Sequence, residues 1–86
     1  MMPKVLMYLT AACPFCQSAD RLQQQKGVAV QKVRVDLEPA RRVEMMQKSG
    51  RRTVPQIWID ELHVGGCDDL YDLERAGKLD PLLKAA

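Results

Sequence analysis

Residues 5–16 have the sequence VLMYLTAACPFC, which places a short apolar run just before two cysteines and a proline. The run at residues 5–9 is continuously apolar, as expected of a strand that is covered on both faces of a sheet. Pro14 suits the first position of a helix, where its missing N–H needs no partner. The stretch therefore predicts a strand, a short connection and a helix with Cys13 at its N-terminus.

Cys13 and Cys16 are separated by two residues and can close a disulfide with each other. A cysteine at a helix N-terminus faces unpaired backbone N–H groups and the positive end of the helix dipole. Both favour the thiolate, which is the reactive form. Cys13 is therefore predicted to attack, and Cys16, about one helical turn further on, is predicted to be the resolving thiol.

Composition limits the class of protein. A chain of 86 residues with 47% hydrophobic residues predicts one globular domain over residues 1–86. The net charge of +2 is too small to indicate a nucleic-acid partner, and no apolar run is long enough to span a membrane. No signal peptide is recognisable, and three cysteines are an odd count for a secreted disulfide scaffold. We therefore expect a cytoplasmic protein.

The rest of the chain alternates between strand and helix patterns. The first helix is predicted to end at Gly27, and apolar residues then mark a second strand over residues 28–36. Later signals predict a helix over 39–50, strands at 57–59 and 62–64 around an Asp60-Glu61 turn of uncertain type, a helix from Asp68 to Gly77, and a last short turn at Asp80-Pro81.

The predicted order is β-α-β-α-β-β-α. The first β-α-β unit implies a parallel crossover, and the hairpin adds two antiparallel strands. The expected fold is α/β, with one four-stranded mixed sheet and helices on both faces. Cys13 would then lie at the carboxyl end of the first strand, an edge where open α/β sheets tend to bind ligands.

Three motifs together resemble the glutaredoxin family, and in particular its bacterial dithiol members. They are Cys13-Pro14-Phe15-Cys16, Thr53-Val54-Pro55-Gln56 and Gly65-Gly66-Cys67-Asp68-Asp69-Leu70. The resemblance implies a thioredoxin-like fold and glutathione-dependent thiol–disulfide exchange. It implies glutathione as reducing co-substrate, no bound cofactor or metal, a monomer, and glutathionylated or disulfide-containing proteins as partners.

The resemblance also implies a glutathione site. The backbone before a cis Pro55 would pair with the cysteinyl part of glutathione, as an added strand does. The start of the last long helix would hold a carboxylate, and Asp68 or Asp69 an ammonium group. Arg51 would neutralise the glycine carboxylate. The implied glutathione-binding residues are Phe15, Arg51, Thr53, Val54, Pro55, Cys67, Asp68 and Asp69.

Three positions leave questions open. Thr10 stands where many relatives carry a lysine, which predicts weaker glutathione binding or a higher thiol pKa unless an arginine compensates. Phe15 stands where tyrosine is common, so that hydroxyl is absent. Cys67 is interpreted as a bystander, with a third redox-active thiol as the alternative.

Other functions remain as alternatives. A zinc site could use three cysteines and a histidine, namely Cys13, Cys16, Cys67 and His63, although His63 fits a strand without any metal. An iron–sulfur carrier of this fold usually has a different cysteine motif. A non-catalytic interaction module would have an unreactive Cys13. A thioredoxin would favour Trp before the first cysteine and Gly-Pro between the two.

Overall fold

The computed structural model describes residues 3–84, whose four strands form one sheet in the order β2-β1-β3-β4. The elements are β1 Val5–Leu9, α1 Pro14–Gln25, β2 Val30–Arg34, α2 Pro39–Ser49, β3 Gln56–Ile59, β4 Leu62–Gly65, α3 Cys67–Arg75 and α4 Leu79–Lys84. β1 is parallel to β2, whereas β3 is antiparallel to both β1 and β4. The predicted mixed four-stranded sheet is confirmed.

Two apolar clusters cover opposite faces of the sheet, because successive side chains of a strand point to opposite sides. Met7 and Ile57 pack in the cluster that also contains residues of α1, α3 and α4. Tyr8 and Trp58 pack with Met45 of α2 in the other cluster. Helices therefore lie on both faces, as the sequence predicts. None of the helices within residues 3–84 is long and apolar enough to cross a membrane.

The second strand is shorter than its apolar pattern predicts. The pattern extends over residues 28–36, whereas β2 covers only Val30–Arg34. The five residues of β1 pair one by one with the five of β2, so the partner strand sets the length. Val28 instead donates its backbone N–H to the carbonyl oxygen of Gln23, at an N···O distance of 3.4 Å, and so belongs to the end of α1.

A fourth helix forms where the sequence predicts only a short turn. α4 comprises the six residues Leu79–Lys84. Its Leu79 and Leu83 are four residues apart, and both are buried in the cluster beneath α1 and α3. Pro81 is tolerated because the first N–H groups of a helix have no intrahelical partner. The order is therefore β-α-β-α-β-β-α-α, and the prediction of three helices was wrong.

The turn between β3 and β4 is set by Asp60, whose φ is 53°. Aspartate is one of the few non-glycine residues that adopt this left-handed conformation readily. The Asp60 carboxylate accepts a hydrogen bond from the backbone N–H of Lys4 at 2.9 Å. The hairpin is thus attached to the start of β1, which carries the candidate site at its other end.

Candidate functional site

Cys13 is the N-cap residue of α1, as Pro14 predicts. Its backbone is extended, and its Sγ accepts a hydrogen bond from the backbone N–H of Cys16 at 3.1 Å. The two cysteines form a disulfide. Cys13 is 7% exposed and Cys16 is 2% exposed, so Cys13 is the more accessible to an incoming disulfide. A backbone donor at a helix start stabilises negative charge on this sulfur.

A cleft of about 290 Å³ lies beside the start of α1, with Phe15 between the two cysteines in its lining. The Cys13 Sγ lies 3.8 Å from the carbonyl oxygen of Val54, which lines the cleft. The lining residues are Phe15, Arg51, Thr53, Val54, Pro55, Gly66, Cys67, Asp68 and Asp69. The structure therefore brings together all eight residues that the sequence predicts for a ligand site and adds Gly66, which belongs to the quoted glycine pair.

One wall of the cleft is the segment around Pro55. The Val54–Pro55 peptide bond is cis, as the sequence resemblance implies. Directly after Pro55, Gln56 is fully buried, and its Nε2 donates to the Thr53 carbonyl oxygen at 3.0 Å and to the Thr53 hydroxyl at 3.3 Å. The sequence interpretation gave Gln56 no role, although a polar residue at the start of an otherwise apolar strand was a visible signal.

The opposite wall is the entry to α3, with Gly66 as its N-cap. One oxygen of Asp69, Oδ2, accepts the backbone N–H of Gly66 at 2.9 Å and Nη1 of Arg51 at 2.8 Å. The guanidinium of Arg51 is the main cause that lowers the pKa of Asp69, and the Gly66 N–H is the second. The two residues expected to meet opposite charges of one ligand thus contact each other.

Cys67 is 8% exposed and packs in the cluster of α1 and α3. Burial, with a smaller effect of the Asp68 charge, raises the pKa of its thiol. A thiol with a raised pKa is mostly protonated and therefore a poor nucleophile. The raised pKa therefore favours the bystander interpretation of Cys67.

His63 is explained without a metal. Its Nε2 lies 2.8 Å from Oε1 of Gln56, and its ring packs on Trp58 with 4.6 Å between ring centroids. Burial first, and the positive charge of Arg51 second, lower the pKa of His63. Within residues 3–84, no three His, Cys, Asp or Glu side chains are grouped so that they could hold a metal ion.

The arrangement of a dithiol at a helix start, beside a cleft between a cis-proline segment and a glycine turn, has known counterparts. A family model described as glutaredoxin matches residues 5–64. The chain belongs to the glutaredoxin family. It is accordingly a thiol–disulfide oxidoreductase with Cys13–Cys16 as its redox-active disulfide.

Curated glutaredoxins match over almost their full length. A glutaredoxin of Pseudomonas aeruginosa is 58% identical over 84 residues, covering 98% of this chain and 100% of the relative. Glutaredoxin 3 of Escherichia coli K12 is 52% identical over 83 residues, covering 96% of this chain and 100% of the relative.

Solved glutaredoxin structures share the fold. The solution structure of a Brucella melitensis glutaredoxin is 48% identical with a TM-score of 0.85, covering 96% of this chain and 90% of that chain. A crystal structure of a buckwheat glutaredoxin–glutathione complex is 32% identical with a TM-score of 0.88, covering 94% of this chain and 76% of that chain. The thioredoxin-like architecture of this glutaredoxin is therefore shown.

Proposed function

We propose that this glutaredoxin reduces glutathione mixed disulfides and protein disulfides at the expense of glutathione. The observation that supports this proposal is the position of Cys13, whose sulfur lies 3.8 Å from the carbonyl oxygen of Val54. Val54 lines a cleft whose lining also includes the charged residues Arg51, Asp68 and Asp69. The buckwheat relative was solved as a complex with glutathione, which supports the same ligand here.

The cleft offers complementary groups for the three parts of glutathione. The backbone of Val54 is suited to pair with the cysteinyl part, because Pro55 supplies no competing N–H. The start of α3 has free N–H groups for the γ-glutamyl carboxylate, and Asp69 or Asp68 has the charge for its ammonium group. Arg51 donates one N–H to Asp69, and its remaining N–H groups can donate hydrogen bonds to the glycine carboxylate.

The proposed chemistry is two successive thiol–disulfide exchanges. The Cys13 thiolate attacks the glutathionyl sulfur of a mixed disulfide, and the substrate leaves as a thiolate that takes up a proton. A second glutathione thiolate attacks the Cys13–glutathione disulfide, which releases oxidised glutathione and the Cys13 thiolate. With a protein disulfide, Cys16 resolves the mixed disulfide instead, and two glutathione molecules later reduce the Cys13–Cys16 bond.

The setting follows from this chemistry. A reducing compartment supplies the glutathione, so we place the protein in the cytoplasm, acting as a monomer on glutathionylated or disulfide-containing proteins. The domain of residues 1–86 holds every residue the cycle uses, and no resident metal or cofactor takes part in it.

A coupled assay tests the proposal. Wild-type protein is given the mixed disulfide of glutathione and 2-mercaptoethanol, with glutathione, glutathione reductase and NADPH, and NADPH consumption is followed. We expect saturable turnover well above the uncatalysed rate. A wild-type rate equal to that of Cys13→Ser would reject the proposal.

A further inference from the structure

Gln56, at the start of β3, carries a buried side-chain amide. All four residues of β3 are buried, and Gln56 is its one polar member, with no exposed surface. Burying an amide costs free energy unless its polar atoms find partners. An apolar residue would fill this position at no such cost, so the hydrogen bonds of Gln56 indicate a role other than filling the core.

These hydrogen bonds have one consistent direction. The carbonyl oxygen of Thr53 can only accept, so the amide NH₂ of Gln56 must face it, at 3.0 Å. The amide oxygen Oε1 then faces Nε2 of His63 at 2.8 Å. Because Oε1 can only accept, the hydrogen of this contact lies on Nε2 of His63. The chain of donors therefore runs from His63 through Gln56 to Thr53.

His63 is itself held in place. It lies opposite Trp58 in the β3–β4 pairing, and the two rings pack at an interplanar angle of 31°. Its lowered pKa keeps the ring neutral near pH 7, and the charged groups that act on it are Arg51 and Asp69. Both the neutral and the protonated ring can donate from Nε2, so the contact does not depend on titration.

We propose that Gln56 and His63 are positioning residues for substrate binding. They fix the Thr53 carbonyl and hydroxyl, and thereby the backbone of Val54, next in the chain, whose carbonyl oxygen lies 3.8 Å from the Cys13 sulfur. This inference rests on the proposed function, in which the Val54 backbone pairs with glutathione. Neither residue lines the cleft, so both act through Thr53 and not on the ligand.

Four variants test this role in the coupled assay. Gln56→Leu removes all three side-chain hydrogen bonds of Gln56, and His63→Leu removes the donor that orients the amide. His63→Gln keeps a donor at a similar reach. The matched control is Gln23→Leu, because Gln23 is also buried at 1% exposure and donates to a backbone carbonyl, that of Ala19, but lies in α1 outside the cleft.

The expected result is a split between KM and kcat. Gln56→Leu and His63→Leu should raise the KM for the glutathione mixed disulfide by about fivefold, the factor that one ordinary hydrogen bond supplies, with kcat little changed. His63→Gln should bring KM back towards the wild-type value. Gln23→Leu should change thermal stability and leave KM alone. Amide hydrogen exchange at Thr53 and Val54 should become faster in Gln56→Leu, with α1 unaffected.

Three outcomes separate the possible failures. No turnover by the wild type rejects the proposed function. Amide hydrogen exchange at Thr53 and Val54 in Gln56→Leu then decides by itself whether Gln56 holds this segment in place. An active wild type with unchanged KM in both leucine variants overturns the inference. A KM in His63→Gln that is as high as the KM in His63→Leu also overturns the inference. If Gln56→Leu fails to fold, the two His63 variants still give the decision.

Discussion

Two sulfur atoms at the start of α1 have different surroundings. Cys13 Sγ accepts a backbone hydrogen bond from Cys16 and lies 3.8 Å from the carbonyl oxygen of Val54, a residue that lines the cleft. Cys16 is inside the first helical turn and almost fully buried. Access and stabilisation of the thiolate both decide which thiol attacks a disulfide. The structure therefore supports unequal roles for the two residues.

Substitution of Cys13 and substitution of Cys16 should have different effects on activity. Cys13→Ser should abolish all exchange, since a hydroxyl does not replace the thiolate. Cys16→Ser should retain substantial reduction of glutathione mixed disulfides, because a second glutathione can resolve the adduct, but should fail on protein disulfides. Mass spectrometry after treatment with oxidised glutathione should show the Cys13–glutathione adduct in Cys16→Ser. Activity that survives in Cys13→Ser would contradict this assignment.

The Arg51–Asp69 pair gives a pH prediction. Arg51 is the main cause that holds the pKa of Asp69 below its ordinary value, so the carboxylate stays charged to lower pH. Its contribution to stability is complete above the ordinary carboxyl pKa and is lost as pH falls from there through the lowered pKa. Arg51→Met should raise the pKa of Asp69. The KM for glutathione should then begin to rise at a higher pH on acidification than in the wild type.

The measured quantity is the pH at which KM begins to rise on acidification. The size of KM alone does not test the pair, because the loss of Arg51 also raises KM at every pH if Arg51 binds the glycine carboxylate. Arg52→Met is the matched control, since Arg52 is exposed and does not line the cleft. If KM begins to rise at the same pH in Arg51→Met and Arg52→Met, Arg51 does not control the pKa of Asp69.

At the scale of an element, the entry to α3 depends on close packing of backbone and side chain. Gly65 ends β4 with φ of +112°, and a Cβ built there would overlap the Asp69 carboxylate. A Cβ on Gly66 would lie 3.4 Å from the Pro55 carbonyl oxygen, so the two walls of the cleft approach each other here. The glycine pair thus lets the turn reach both Asp69 and the cis-proline segment.

Two glycine substitutions separate strain from crowding. Gly77→Ala, at φ +71° with open space around it, should cost only the left-handed backbone preference, about 1 kcal/mol. Gly65→Ala should cost about 2 kcal/mol or more and also raise the KM for glutathione, because the Asp69 carboxylate must move. Chemical denaturation and the coupled assay check both. A normal KM in Gly65→Ala would show that Asp69 tolerates the displacement.

At the scale of the whole molecule, the sheet is stabilised by a different set of helices on each face. α1, α3 and α4 share one cluster, and α2 supplies Met45 to the other. Lys26 at the end of α1 forms ion pairs with Glu74 at 2.7 Å and Asp80 at 2.9 Å, which joins α1 to α3 and α4. Because these pairs are exposed at least in part, burial of leucines is the stronger contribution of α4.

The contribution of α4 is measurable. Leu79 has no exposed surface, so Leu79→Ala should lower the free energy of unfolding by about 2–5 kcal/mol. Leu37 is 69% exposed, and Leu37→Ala should change the free energy of unfolding by less than about 0.5 kcal/mol. Denaturant unfolding of both variants gives the comparison. Equal stability of the two would mean that α4 is not part of the cooperative core.

The sequence alone predicted the parts of the fold that follow from local rules. An apolar run predicted β1, Pro14 predicted that α1 begins directly after Cys13, and Gly50 predicted the end of α2. Three motifs identified the family and, through it, the residues that line the cleft. These signals act over a few neighbouring residues, so they are visible before any folding is known.

Tertiary structure alone decided the contacts between distant residues. β1 set the ends of β2, burial of Leu79 and Leu83 turned a predicted turn into α4, and Arg51 met Asp69, which lies 18 residues away. The chain from His63 through Gln56 to Thr53 exists only because β3 and β4 pair. Hydrogen bonds and ion pairs require atoms within about 3 Å of each other, and only the packed chain specifies which atoms come that close.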